Sequence, residues 1–227
     1  MGRRSRARGG RPHLPPVKVL LLHAWPLEPA MWDPQMAALE EAGFETEAPR
    51  LYRRGSSIDA WAGQLLGEIE GQFVAVGASM GGYTALALAR RAPERVPGLV
   101  LAGSPVRADP PERRGYREEL IGTLRTTGVP PDVESEVDPE ELAVAQEAIR
   151  DRPDSTGVAA SFGGPLLVCV GDSDELLPVD EARSIAEGAL LGSLHVFPGA
   201  GHLPSVEQPA SFDAIVLPFL ADAPESL

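Results

Sequence analysis

A serine flanked by glycines, Gly77-Ala78-Ser79-Met80-Gly81, separates two runs of different character. Phe73-Val74-Ala75-Val76 is apolar and partly β-branched, and reads as a buried strand. Gly82 to Arg91 is rich in Ala and Leu and meets no breaker until Pro93, so it reads as a helix. Ser79 therefore falls on a strand–turn–helix corner, the context that a G-x-S-x-G nucleophile turn requires. Such a corner strains the serine backbone and lifts its hydroxyl clear of the sheet. Positions 77 and 81 must lack side chains because neighbouring chain passes close by. The helix start sets backbone N–H groups beside the hydroxyl, where negative charge would develop during attack on a carbonyl.

The pentapeptide alone is also an ordinary turn sequence, so its partners decide its meaning. A serine hydroxyl needs a base at neutral pH, and the base needs an orienting acid. His202, in the turn Gly199-Ala200-Gly201-His202 between a strand and a helix, is the candidate base. His13 lies in an Arg- and Pro-rich leader, and His195 lies inside a strand, where it reads as an exposed-face residue. Asp172 and Asp174 both follow the apolar run 165–170, and either could accept from the imidazole. Asp180 reads as the cap of the next helix. There is no G-x-x-x-x-G-K phosphate loop and no metal-ligand cluster, so neither phosphoryl transfer nor a metal or other cofactor is expected.

The elements that must position these residues alternate. Strands are expected at 17–22, 44–48, 73–76, 97–102, 165–170 and 194–197. Helices are expected at 29–42, 58–70, 82–91 and 179–190 and from 206 onward. Their near-continuous apolar character and their alternation predict an α/β fold, a mostly parallel, doubly wound sheet. In such sheets a site forms at the carboxyl ends of the strands, where Trp25, Ser79, Asp174 and His202 all fall. Residues 17–227 read as a single domain. The Pro- and charge-rich span 105–164, with helical pieces near 112–126 and 139–151, reads as a short helical cap inserted over the sheet.

The chain has 227 residues, is 43% hydrophobic and carries a net charge of −13. Six of its 20 basic residues lie in the first 18 positions, leaving 14 against 33 acids in the remainder. Residues 1–16 read as a flexible basic tail, without the apolar core of a secretory signal. An acidic body disfavours nucleic acid and anionic membranes as partners. No stretch approaches the length of a membrane span. The single Cys169 lies in an apolar run and reads as a core residue. Together these features fit a soluble, cytoplasmic protein whose partner is a small molecule.

The chain resembles the small serine esterases and lactonases of the α/β-hydrolase superfamily, including 3-oxoadipate enol-lactonases. His23-Ala24-Trp25-Pro26-Leu27 is similar to that family's H-G-x-P loop, with Ala24 in place of Gly. Gly77 to Gly82 is similar to its G-x-S-M-G-G turn, Gly171 to Pro178 to G-x-x-D-x-x-x-P, and Gly201-His202 to its G-H. Arg152-Pro153-Asp154-Ser155 and the stretch before it look like enol-lactonase-type members. The chain order Ser, Asp, His is also that of the family. The resemblance implies a triad of Ser79, His202 and Asp174, favouring Asp174 over Asp172. It also implies an oxyanion hole from the Trp25 and Met80 N–H groups.

The activity expected from this is cofactor-free hydrolysis of a carboxylic ester or lactone. Trp25, Met31, Leu177 and Leu203 are candidate apolar walls, each equally readable as core. A perhydrolase or carbon–carbon bond hydrolase could use the same triad, and a degenerate fold could serve binding alone. Residues 132–154 hold nine acids. Either they spread a negative field over the site entrance and disfavour anionic substrates, or they form a solvated face pointing away.

Overall fold

The expected strands pair into a six-stranded sheet of order β2-β1-β3-β4-β5-β6, every neighbour parallel. The strands are β1 (Lys18–Leu22), β2 (Glu45–Glu47), β3 (Phe73–Ala78), β4 (Leu99–Ala102), β5 (Leu166–Gly171) and β6 (Gly192–Phe197). This computed structural model describes residues 18–222, so the expected tail 1–16, with His13, lies outside the described residues.

Alternation along each strand divides the core between two faces. Leu20, Leu22, Phe73, Ala75, Leu99, Leu101, Val168 and Val170 pack on one side, with Trp61 and Leu65 of α2 (Ile58–Glu68) and Leu86 of α3 (Met80–Arg91). Val19, Leu21, Val74, Val76, Val100 and Cys169 pack on the other, with Leu39 of α1 (Asp33–Glu41) and Phe212 and Val216 of α9 (Pro209–Asp222). Both faces are thus covered over β1, β3, β4 and β5, which is why these strands read as continuous apolar runs, whereas the edge strands β2 and β6 are more polar and more exposed. Cys169 is fully buried, as expected.

Prolines account for two departures from the expected boundaries. The helix expected over 29–42 splits into a 3-10 turn, Pro29–Trp32, and α1, which restarts with Pro34 in its first turn. The closing helix splits into α8 (Pro204–Glu207) and α9, which begins at Pro209. A proline lacks the N–H that would continue a helix but suits a first turn. Asp180 does not cap α7 (Val179–Gly188), because Pro178 occupies the cap position and Asp180 lies inside the first turn.

Between β4 and β5 the chain forms α4 (Pro111–Thr127), α5 (Pro139–Arg150) and α6 (Thr156–Ser161), the first two close to the expected helical pieces. A buried ion network ties this region down. Asp109 accepts from both Arg117 and Arg152, with 2.7 Å to Arg152. The Arg152 guanidinium also lies 4.1 Å from the centre of the Tyr83 ring of α3, a cation–π contact. Burial pushes the Asp109 carboxyl up, but the hydrogen bonds from Arg152 and Arg117 outweigh this and hold it below the usual range. No helix among the described residues is long and apolar enough to cross a membrane.

Candidate active site

Because the strands are all parallel, residues just past their carboxyl ends gather along one edge. Ser79 follows β3 directly and has φ 48° and ψ −109°, the left-handed strain expected of the corner. Its N–H donates to the Ala102 carbonyl at 2.8 Å, and its carbonyl accepts from Gly82 N–H at 2.9 Å. A Cβ on Gly81 would overlap the Leu22 carbonyl of β1, and one on Gly77 would overlap Gly81 itself. Gly82 is equally constrained, since a Cβ there would strike Ser104. These crossings let α3 start hard against the sheet.

Ser79, His202 and Asp174 form one hydrogen-bonded chain. His202 Nδ1 lies 3.0 Å from both Asp174 carboxylate oxygens, and Nε2 lies 2.9 Å from Ser79 Oγ. The carboxylate only accepts, so Nδ1 carries the proton and donates to it. Nε2 is left free to accept from the serine hydroxyl. The Asp174 side chain is fully buried and fixed by N–H donors from Leu176 (2.8 Å) and Leu177 (3.1 Å). Asp172 does not reach the histidine. Its carboxylate accepts from Gly199 N–H at 2.9 Å and from the Ser173 hydroxyl at 3.0 Å, tying down the turn that carries His202.

Trp25 and Met80 bring their N–H groups to the same edge, and neither donates to an acceptor among the described residues. Met80 is the first residue of α3, so its N–H has no partner within the helix. The Trp25 loop is anchored from several directions. Buried His23 accepts from Leu51 N–H at 2.9 Å through Nε2 and donates through Nδ1 to the Ala24 carbonyl at 3.0 Å. Burial lowers the His23 pKa to about 4, so the ring is neutral. Tyr52 donates to the Leu27 carbonyl at 3.0 Å, Ser135 to the Pro26 carbonyl at 2.8 Å, and the Trp25 indole to the Leu142 carbonyl of α5 at 3.3 Å. Among described non-glycines φ is positive only at Arg53 and Ser79, so position 24 imposes no need for glycine.

A cavity of about 650 Å³ opens over Ser79 and His202. Trp25 lines it as expected, but Met31, Leu177 and Leu203 do not. Met31 turns its sulfur to the Ala24 N–H at 3.2 Å, Leu177 is fully buried core, and Leu203 packs on the second core face. Leu176, one residue earlier, faces the cavity instead. The rest of the wall is Tyr83 with residues of α4 and α5, among them Arg113, Tyr116, Leu120 and Ile149. Sequence reasoning missed these residues. The available signal was the spacing of 113, 116, 117 and 120 on one helical face.

None of the nine acids of 132–154 lines the cavity. Several are neutralised by arginines: Glu140 and Glu147 by Arg125, Glu141 by Arg50 and Arg53, and Asp151 by Arg114 and Arg150. The cavity lining therefore favours the second of the two readings, acids on a face turned away from the site, with Arg50, Arg53, Arg114 and Arg125 reaching them from outside the stretch and Arg150 from within it. Among the described residues no cluster of His, Cys, Asp or Glu is arranged to hold a metal.

Residues 19–215 match the family model described as "Alpha/beta hydrolase family". The chain belongs to the alpha/beta hydrolase family. As a member it is a hydrolase. It is 31% identical over 207 residues to a 2-hydroxymuconate semialdehyde hydrolase of Pseudomonas sp. strain CF600, covering 79% of this chain and 72% of that one. It is 40% identical over 92 residues to a pimeloyl-[acyl-carrier protein] methyl ester esterase of Aromatoleum aromaticum, a match spanning 38% of this chain and only 36% of that protein. Among solved structures, a thermophilic esterase from Thermogutta terrifontis superposes with a TM-score of 0.85 at 29% identity, covering 91% of this chain and 90% of the other.

Proposed function

We propose that this hydrolase cleaves a carboxylic ester or lactone through an acyl-enzyme on Ser79. The observation that carries the reading is the chain of contacts at the cavity floor, Ser79 Oγ to His202 Nε2 at 2.9 Å and His202 Nδ1 to Asp174 at 3.0 Å. Ser79 Oγ attacks the carbonyl carbon while Nε2 takes its proton. The carbonyl oxygen becomes negative and is held by the Trp25 and Met80 N–H groups, which have no competing acceptor. Asp174 stabilises the imidazolium that forms. The imidazolium then protonates the leaving alkoxide, and the carbon–oxygen bond breaks. Water, deprotonated by His202, attacks the acyl-enzyme and releases the acid.

The esterase relatives support this substrate class. The semialdehyde hydrolase relative favours a second reading, hydrolysis of a carbon–carbon bond next to a ketone by the same residues. A panel of p-nitrophenyl esters, lactones and β-diketones separates the two. Ser79→Ala is expected to lower kcat on the preferred substrate by at least about a thousandfold while leaving the fold intact. A fluorophosphonate should label the wild-type protein and not the variant. Near-normal turnover by purified Ser79→Ala rejects the mechanism, and an unlabelled, inactive wild type points to a binding protein on this fold.

A further inference from the structure

We propose that Glu207 is a positioning residue for His202, the base of the proposed mechanism, and that its carboxylate fixes the turn from which the imidazole reaches Ser79. The inference rests on that mechanism and adds a residue that neither lines the cavity nor bonds to a triad side chain. His202 has to make two contacts at once, Nδ1 to Asp174 and Nε2 to Ser79, so its backbone must not drift. The turn that carries it is poorly suited to this by itself. Gly199 and Gly201 give it backbone freedom, and Gly199 has φ 73°.

Glu207 removes that freedom beside the histidine. One carboxylate oxygen accepts from Gly201 N–H at 2.6 Å and the other from Leu203 N–H at 2.9 Å, so one side chain grips both neighbours of His202. Hydrogen bonds to an ionised acceptor are the strong ones. Both oxygens also lie 3.3 Å from where a Gly201 Cβ would be, so the carboxylate sits close against that residue. From the opposite side the turn rests on Gly103, just past β4, with φ 57°. A Cβ on Gly103 would overlap the His202 carbonyl and crowd its ring.

Capping of α8 explains only half of this arrangement. The bond to Leu203 N–H serves the start of that short helix. The bond to Gly201 N–H lies outside the helix, on the far side of His202, and does nothing for α8. Asp172 holds the same turn at Gly199, two residues further from the histidine.

The test measures kcat and KM on p-nitrophenyl butyrate. Glu207→Ala should lower kcat at least about tenfold and change KM less than about twofold, because it displaces the base without touching the substrate. Acylation and deacylation both pass through His202, so the fall appears whichever step is slower. Glu207→Gln keeps one acceptor oxygen but sets its NH2 against the other N–H, and should lie between Glu207→Ala and the wild type. A residue that only caps α8 would change thermal stability and leave kcat of the folded protein alone. A kcat within about twofold of wild type in folded Glu207→Ala, or a loss carried by KM, overturns the proposal. If Glu207→Ala does not fold, Glu207→Gln carries the same test, with a fall in kcat of at least about threefold expected at constant KM and no fall overturning it.

The bond from His202 Nδ1–H to Asp174 gives a readout that needs no substrate. The chain has four histidines, so 15N-histidine labelling leaves few ring signals to assign, and His202→Gln identifies the one that matters. Exchange of that Nδ1 proton with water should be at least about tenfold faster in Glu207→Ala than in the wild type, and unchanged exchange rejects the clamp. A wild type that hydrolyses no ester counts against the hydrolase reading, whereas this exchange rate still decides the role of Glu207.

Discussion

Asp172 and Asp174 stand two positions apart past the same strand and differ in what they touch. Asp174 is buried under the His202 ring and held by two backbone N–H groups, so its carboxylate fixes the tautomer that frees Nε2. Asp174→Asn should lower kcat by about a thousandfold or more, because an amide can donate to Nδ1 and invert that tautomer. Asp172→Asn should cost less than about tenfold, since it loosens only the turn around Gly199. Steady-state kinetics on both variants decides the matter, and a larger loss in Asp172→Asn would reverse the assignment. At this scale residue type and strand position were enough to find Ser79 and His202 as candidates, whereas spacing alone left the two aspartates open. Periodicity was too coarse for the pocket wall. Leu177 was singled out where Leu176 faces the cavity, because a loop between a strand end and a proline has no fixed period from which to read direction.

The elements around the site explain why its residues hold their places. The corner at Ser79 depends on three glycines that let α3, β1 and the Ser104 loop close together; positions 77 and 81 were legible because glycine spacing reports backbone approach, whereas the contact of Gly82 with Ser104 was not. The parallel sheet was legible from its apolar runs, and the proline breaks in α1 and α9 shifted boundaries without changing order. The ion network that ties down α4 and α5 was not legible, because it joins residues far apart in sequence. Arg117 and Arg152 meet at Asp109, whose side chain is 2% exposed. Asp109→Ala would leave the buried Arg152 cation without its carboxylate. We expect a loss of about 3 kcal/mol in denaturant unfolding, with α4 and α5 less protected from hydrogen exchange. A loss below about 1 kcal/mol would mean that the Ile149 and Arg107 carbonyls and the Tyr83 ring hold Arg152 unaided.

For the whole molecule, the strong acidity read from composition is not evenly spread, since arginines pair with Glu140, Glu141, Glu147 and Asp151 around α5. Composition counts charges but cannot pair or orient them, which is why it left open whether these acids face the site or turn away from it. The pH dependence of stability therefore turns on particular buried groups, and His23 is the clearest. It is fully buried between the Trp25 loop and Leu51, and burial lowers its pKa from 6.5 to about 4, with Glu28 and Arg50 adding opposed and smaller effects. In the unfolded chain the ring takes up a proton near its ordinary value, while the folded protein resists until about pH 4. The unfolded state thus binds more protons throughout that window. The stabilisation from a neutral His23 is complete above 6.5 and falls as the pH drops toward 4, by about 3 kcal/mol in all. His23→Gln, which keeps a side chain able to donate and accept, removes this proton uptake. Urea unfolding at a series of pH values should give the variant a flatter acid limb between 6.5 and 4 than the wild type, whatever its stability at pH 7. Parallel limbs would show that His23 is already protonated in the folded protein across that range.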